Sequence, residues 1–199
     1  MKLYSAPASP FVRKVAVLLH ETGQIDDVEM VAAGGHPLAS EQMPLAHNPL
    51  GKIPALERED GPAIYDSAVI CRFLGEAHGM YPEARLYEAL TLEATADGIC
   101  DAAILMIYET RCRAEDQRSA EWVEAQWEKV TRSLDAIEDR WMSHLAGPLD
   151  IGQIAVACAL AYIDFRHGSR DWRAERPQLT AWFEAFSARP AMQATVPQG

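Results

Sequence analysis

The sequence predicts an α/β unit at its N-terminal end followed by an all-helical one. Three observations carry this expectation. Short apolar runs at residues 2–4, 28–31, 53–57 and 63–65 have strand length and are bounded by turn-forming residues. The last two of these, IPALE and AIY, flank a polar turn at 58–62, which reads as a β-hairpin. From Pro82 onward the apolar spacing is helical throughout.

Taken in order, residues 2–4 form a strand that leads into a proline-bearing loop. Ser9-Pro10 then opens a helix, with serine at the N-cap and proline at the first helical position. Phe11, Val12, Val15, Ala16, Leu18 and Leu19 give that helix a broad apolar face, and Gly23 stops it. Residues 28–31 are the second strand, 32–36 a loop, and 38–47 a weakly helical stretch ended by Asn48-Pro49. Pro54 sits where the hairpin's first strand opens, a position that tolerates proline. If the bond preceding it is cis, the sharp turn presents the backbone of Ile53 to a ligand. Asp66-Ser67 then caps a helix carrying Val69, Ile70, Phe73 and Leu74. The order βαβαββα over residues 1–77, parallel then antiparallel, fits a thioredoxin-like domain.

Residues 75–81 link this unit to a helical domain over 84–199. Residues 84–114 are long enough for a bent helix or two in succession, and 119–145 form another, ended by Gly147-Pro148. Asp150 and Gln153 have capping-box spacing ahead of the apolar run 151–163, a cap worth about 0.5–2 kcal/mol. A last helix is expected at 178–188, with an irregular tail from Ala191.

Eighteen basic against 29 acidic residues give a net charge of −11, which argues against nucleic acid and anionic membranes as partners. No apolar run approaches the roughly 20 residues a membrane span needs. Cys71, Cys100, Cys112 and Cys158 have neither zinc nor C-x-x-C spacing and read as reduced structural thiols, so a cytoplasmic location is expected. The six histidines form no ligand motif, so no metal is expected, and no phosphate-binding glycine motif is present.

The stretch NPLGKIPAL at 48–56, followed by the Asp66-Ser67 pair, resembles the glutathione site of the glutathione S-transferase superfamily, and the likeness extends over nearly the whole chain. In that family the proline is cis, the residue before it pairs with the cysteinyl backbone of glutathione, and the acidic-Ser pair binds the γ-glutamyl group. On this resemblance Ile53, Pro54, Asp66 and Ser67 bind glutathione, with Phe11 and Lys52 beside them. An acidic side chain next to a helix N-terminus suits an α-amino acid head group, which carries both charges. Lys52 could equally stay solvated. The stretch ASPFVRK at 8–14 resembles the family's catalytic loop, and Ser9 is the matching position for the residue that meets the glutathione sulfur. Ser9 is also simply a good N-cap. Ser5 and Tyr4 are rivals for the role, although Tyr4 suits a strand residue facing the core. No cysteine precedes residue 71, so mixed-disulfide chemistry is disfavoured, which on this resemblance leaves conjugation, addition, isomerisation or peroxide reduction by the glutathione thiolate.

The resemblance thus implies an enzyme, a serine-type glutathione transferase. It would activate the thiolate of its co-substrate glutathione for attack on a small hydrophobic electrophile, as a homodimer with a role in detoxification. The alternative is a non-catalytic glutathione- or ligand-binding protein of the same fold, and a third is an interaction module with an occluded site. Arg111, with Met106, Tyr108 and Glu109 on the long helix, could face the second substrate and favour an anionic one.

Overall fold

The computed structural model describes residues 1–199. Strands β1 (Lys2–Ser5), β2 (Glu29–Ala32), β3 (Ala55–Arg58) and β4 (Gly61–Ile64) form one sheet in the order β2-β1-β3-β4. β1 and β2 are parallel, and helix α1 (Pro10–Glu21) is the crossover that a parallel pair requires. β3 runs antiparallel to both β1 and β4, so Leu56 lies opposite Leu3 on one side and Ile64 on the other. Helix α2 (Ser67–Gly75) follows β4.

This topology gathers the site. The end of β1, the start of β3 and the end of β4 share one edge of the sheet. The loop before α1, the Ile53-Pro54 turn and the Asp66-Ser67 pair therefore converge there. The Ile53-Pro54 bond is cis, and so is Tyr65-Asp66. Gly23, just beyond α1, has φ +72°, a conformation that glycine adopts without a Cβ penalty.

Two sequence expectations are corrected here. Residues 38–47 form turns, not a helix; the order is therefore βαβββα. Pro44 has no N–H to give, and Leu38 and Leu45 are 74% and 46% exposed, so the stretch has no buried face to hold a helix. The segment is organised instead by Asn48, which is buried. Its Oδ1 accepts from Leu50 N at 3.0 Å and its Nδ2 donates to Lys52 O at 2.8 Å, fixing the approach to Ile53. Tyr4 does not face the core. Alternation along β1 buries Leu3 completely and turns Tyr4 to the other face, where it stacks on His47 at 4.8 Å.

The second part is helical: α3 (Leu86–Cys112), α4 (Ala120–Arg140), α5 (Met142–Leu145), α6 (Ile151–His167), α7 (Pro177–Ser187) and α8 (Pro190–Ala194). α3 is one unbroken helix of 27 residues. The tail, expected to be irregular, makes the short α8, because Pro190 suits a first helical position and Ala191 and Met192 find a buried surface. α6 is apolar all round and lies in the centre, packed on α3 and α1. α3 and α6 approach closely at Gly152, where a Cβ would come within 2.9 Å of Leu92 Cβ. One continuous core joins Leu3, Val15 and Leu56 to Leu92, Ile154 and Leu160.

The capping box at the start of α6 is richer than its spacing suggests. Asp150 is fully buried; its Oδ1 accepts from Gly152 N at 3.0 Å, and its Oδ2 meets His144 Nε2 at 2.9 Å and Arg85 at 3.4 Å. Gln153 Oε1 accepts from Asp150 N at 2.6 Å, while its Nε2 donates to Leu145 O and Gly147 O.

Candidate functional site

Ser9 is the N-cap of α1, with φ −82° and ψ 122°, and its Oγ accepts from Val12 N at 3.3 Å. That bond occupies a lone pair and leaves the hydroxyl proton free to donate. Pro10 has no N–H, so the first N–H of the helix is that of Phe11, which has no partner in the protein. The Phe11 side chain is partly buried and packs against the core. The two rivals are committed elsewhere. Ser5 Oγ donates to Val31 O at 3.4 Å, and Tyr4 donates to Glu57 Oε2 at 3.0 Å. Partial burial and the Glu57 carboxylate hold the Tyr4 phenol above its ordinary pKa, so it stays protonated.

At the hairpin, neither the N–H nor the C=O of Ile53 has a partner, while Pro54 is buried against the sheet. Asp66 caps α2 through Oδ1, which accepts from Ala68 N at 3.1 Å, and its side chain is exposed. Ser67 is nearly buried, with its hydroxyl unpaired. Lys52 is exposed and lies near Asp101 of α3. Asp101 is at the surface, and partial desolvation raises its pKa, opposed by Lys52 and reinforced by Asp66. The sequence reading passed over Asp101. Its only signal was a position one turn beyond Asp97 on a helix face, which resembles a solvated stripe.

A buried charge cluster ties α1 to α3. Lys14 is 1% exposed; its Nζ lies 3.0 Å from Glu93 Oε1 and 2.7 Å from Asp97 Oδ2. Tyr81 donates to Glu93 at 3.3 Å. Burial disfavours the lysine charge, but Asp97 and Glu93 outweigh it and hold the ammonium above the ordinary lysine value. The nearby Cys71 thiol, pushed well up by burial, stays neutral. Burial also places Glu93 and Asp97 above the usual carboxylate range, with Lys14 pulling the other way.

A cavity of about 740 Å³ opens between Leu38 and the C-terminal half of α3, lined by Leu105, Tyr108, Cys112 and Arg113 and by Trp122 of α4. Arg111 is exposed and does not line it; only its backbone oxygen is engaged, by His36 Nε2 at 3.2 Å. Glu109 is buried because it accepts from Arg113 Nε at 3.0 Å and from Ser119 N at 2.9 Å, stitching the end of α3 to the start of α4. A smaller cavity of about 400 Å³ lies against Ser5–Pro7 and Ala32–Gly34. No three His, Cys, Asp or Glu side chains come together as a metal-binding group, and no helix is long and apolar enough to cross a membrane.

Residues 8–77 match the glutathione S-transferase N-terminal domain and residues 120–185 the C-terminal domain. An uncharacterised GST-like protein, YibF of Escherichia coli K12, is 33% identical, with 99% of this chain and 98% of that protein covered. Glutathione S-transferase 3 of Zea mays is 31% identical over 98% of this chain and 93% of its own. A glutathione transferase family member from Pseudomonas fluorescens Pf-5, crystallised with glutathione, superposes with a TM-score of 0.95 at 44% identity, covering 100% of this chain and 99% of that one. A further structure from the same strain, with bound S-(propanoic acid)-glutathione, gives 0.91 at 43% identity and covers both chains fully. The chain belongs to the glutathione S-transferase family.

Proposed function

We propose that this chain is a glutathione transferase in which Ser9 donates a hydrogen bond to the thiolate of bound glutathione. One observation carries the reading: the N-cap serine keeps its proton free at a helix start whose first N–H is unpaired. Free thiol has a pKa of about 8.5, and lowering it by roughly two units takes about 2.7 kcal/mol of preference for the anion. A charge-assisted hydrogen bond of about 1.5–3 kcal/mol with a helix-end contribution of about 0.3–1 kcal/mol reaches that range. The thiol proton leaves to solvent and the thiolate attacks the electrophile, so no covalent enzyme intermediate is needed.

In this reading the unpaired Ile53 backbone receives the cysteinyl residue of glutathione in strand fashion, beside Pro54. Ser67 and the α2 N-terminus take the γ-glutamyl carboxylate, Asp66 and Asp101 its ammonium group, and Lys52 a second carboxylate. The 740 Å³ cavity by Tyr108 holds the second substrate, a small and largely apolar electrophile. A carboxylate-bearing conjugate in a similar protein supports an acidic variant of it. Exposed Val69 and Phe73, one turn apart on α2, and Tyr87 on α3 support a homodimer, and four unpaired cysteines support a cytoplasmic location and with it a detoxifying role.

Calorimetry with glutathione, followed by conjugation of an aryl halide by wild type and Ser9→Ala, tests this. Binding in both proteins with turnover lost in the variant is the expected result. Binding with no turnover in wild type would favour the non-catalytic alternative. A folded protein that binds no glutathione would end the proposal.

A further inference from the structure

One buried cation has no countercharge. Arg13, Lys14 and Arg176 are the buried arginine and lysine side chains. Lys14 is held by Glu93 and Asp97, and Arg176 by Asp135. Arg13, 7% exposed, meets only neutral oxygens: Nε donates to Thr195 Oγ1 at 3.4 Å and Nη2 to Met192 O at 3.1 Å. Its Nη1 has no partner. Burial pulls the Arg13 pKa below the ordinary arginine value. The group that opposes this is the Cys158 thiol, itself neutral because burial pushes it up to about 11. Buried charges are ordinarily paired, because leaving water without a partner is costly. Arg13 is the exception in this fold.

Its place on α1 gives the exception a direction. Arg13 lies one turn beyond Ser9, and its N–H donates to Ser9 O at 3.0 Å, so the two Cα atoms are roughly 6 Å apart. Helical side chains lean towards the N-terminus, so the Arg13 stem leads back over the turn that Ser9 opens. The C-terminal segment runs antiparallel to α1 and covers this stem. Arg189 pairs with Glu21 at the far end of α1, Met192 and Thr195 meet Arg13, and a Cβ built on Gly199 would lie 3.7 Å from Ala8 Cβ. The Gly199 oxygen is engaged by Arg166. No acidic residue stands in the first turn of α1.

We propose that Arg13 is an electrostatic positioning residue: its charge, buried behind the Ser9 cap and matched by no carboxylate, favours the anion at the sulfur of bound glutathione without touching it. This rests on the glutathione transferase reading and adds a third contribution to the Ser9 hydroxyl and the helix end. A unit charge roughly 10 Å from the sulfur, at a boundary between protein and water, lowers a thiol pKa by about half a unit. That is about threefold in the ratio of thiolate to thiol.

Arg13 also anchors α8, so its test must separate charge from packing. Thr195 is half-buried, and Thr195→Asp sets a carboxylate on Arg13 Nε while leaving Arg13 and Ser9 in place. Thr195→Asn has the same shape without the charge. Thiolate ultraviolet absorbance of the glutathione complex is followed against pH, and melting temperatures are measured alongside. Thr195→Asp should raise the bound thiol by about half a unit and melt no lower than wild type, because the buried cation gains a partner. Thr195→Asn should leave the thiol at its wild-type value. If the Thr195 variants do not fold, Arg13→Gln and Arg13→Lys pose the same question: glutamine should raise the thiol by the same amount and lysine should not. An unmoved thiol in Thr195→Asp, or equal shifts in the charged and neutral variants of either pair, would overturn the proposal and leave the transferase reading intact. Failure of wild type to bind glutathione would overturn both.

Discussion

Replacing Lys14 by methionine is the sharpest perturbation of the joint between the two halves of the molecule. The variant keeps the length and apolar stem of the side chain but leaves Glu93, 2% exposed, and the partly buried Asp97 without their cation. Breaking a buried ion pair by removing one partner lowers stability by about 3–5 kcal/mol. For a chain of this size each kcal/mol moves the melting temperature by roughly 2–4 °C, so a fall of about 6–20 °C is expected near pH 8. The pH dependence has a definite sign. Both carboxyls already lie above their ordinary pKa through burial, and removing Lys14 takes away the attraction that opposed this. A carboxyl raised in the folded state contributes full stability below its unfolded pKa and loses it as pH rises through the folded value. The deficit of Lys14→Met relative to wild type should therefore be small near pH 5 and largest near pH 8. Thermal melts by circular dichroism at the two pH values measure it. A triple variant, Lys14→Met with Glu93→Leu and Asp97→Leu, should recover much of the loss, because it removes the buried charges together. Equal melting temperatures at both pH values, or a deficit that grows in acid, would refute the reasoning.

Other expectations concern the central helix pair. Asp150→Ala should lower stability by about 3 kcal/mol, above the 0.5–2 kcal/mol of an ordinary cap, because it also strips His144 and Arg85 of a fully buried acceptor; chemical denaturation measures this. Gly152→Ala should destabilise by about 1–3 kcal/mol through overpacking against Leu92, read from the midpoint of the same denaturation. Trp172→Phe should lower stability by about 1 kcal/mol in that assay, because its Nε1 donates to Asp164 Oδ1 at 2.7 Å and phenylalanine leaves that bond unmade.

The features that were legible in the sequence are those whose physics is local. The Ser9-Pro10 and Asp66-Ser67 caps, the cis candidate at Pro54 and the Asp150–Gln153 box each involve residues within a few positions of one another, and each is present in the structure. The failures have local explanations too. Residues 38–47 carry helix-forming residues, but their leucines have nothing to pack on. Tyr4 was assigned to the core without counting the alternation that puts Leu3 there instead. The third class was out of reach. Lys14 reads as a solvated lysine until Glu93 and Asp97, some eighty residues away, are folded onto it. Asp101 acquires meaning only through neighbours supplied by other elements, and Arg111, expected to face the second substrate, lies off the cavity because chain position gives no view of where a helix face ends up.

The central claim is that Ser9 stabilises the thiolate of bound glutathione, and the most direct test is a titration of that thiol. Thiolate ultraviolet absorbance of the glutathione complex, followed against pH, should place the bound thiol about two units below its free value in wild type. In Ser9→Ala it should return most of the way to the free value, with glutathione affinity largely retained because Ile53, Asp66 and Ser67 are untouched. An identical titration in the two proteins would contradict the account.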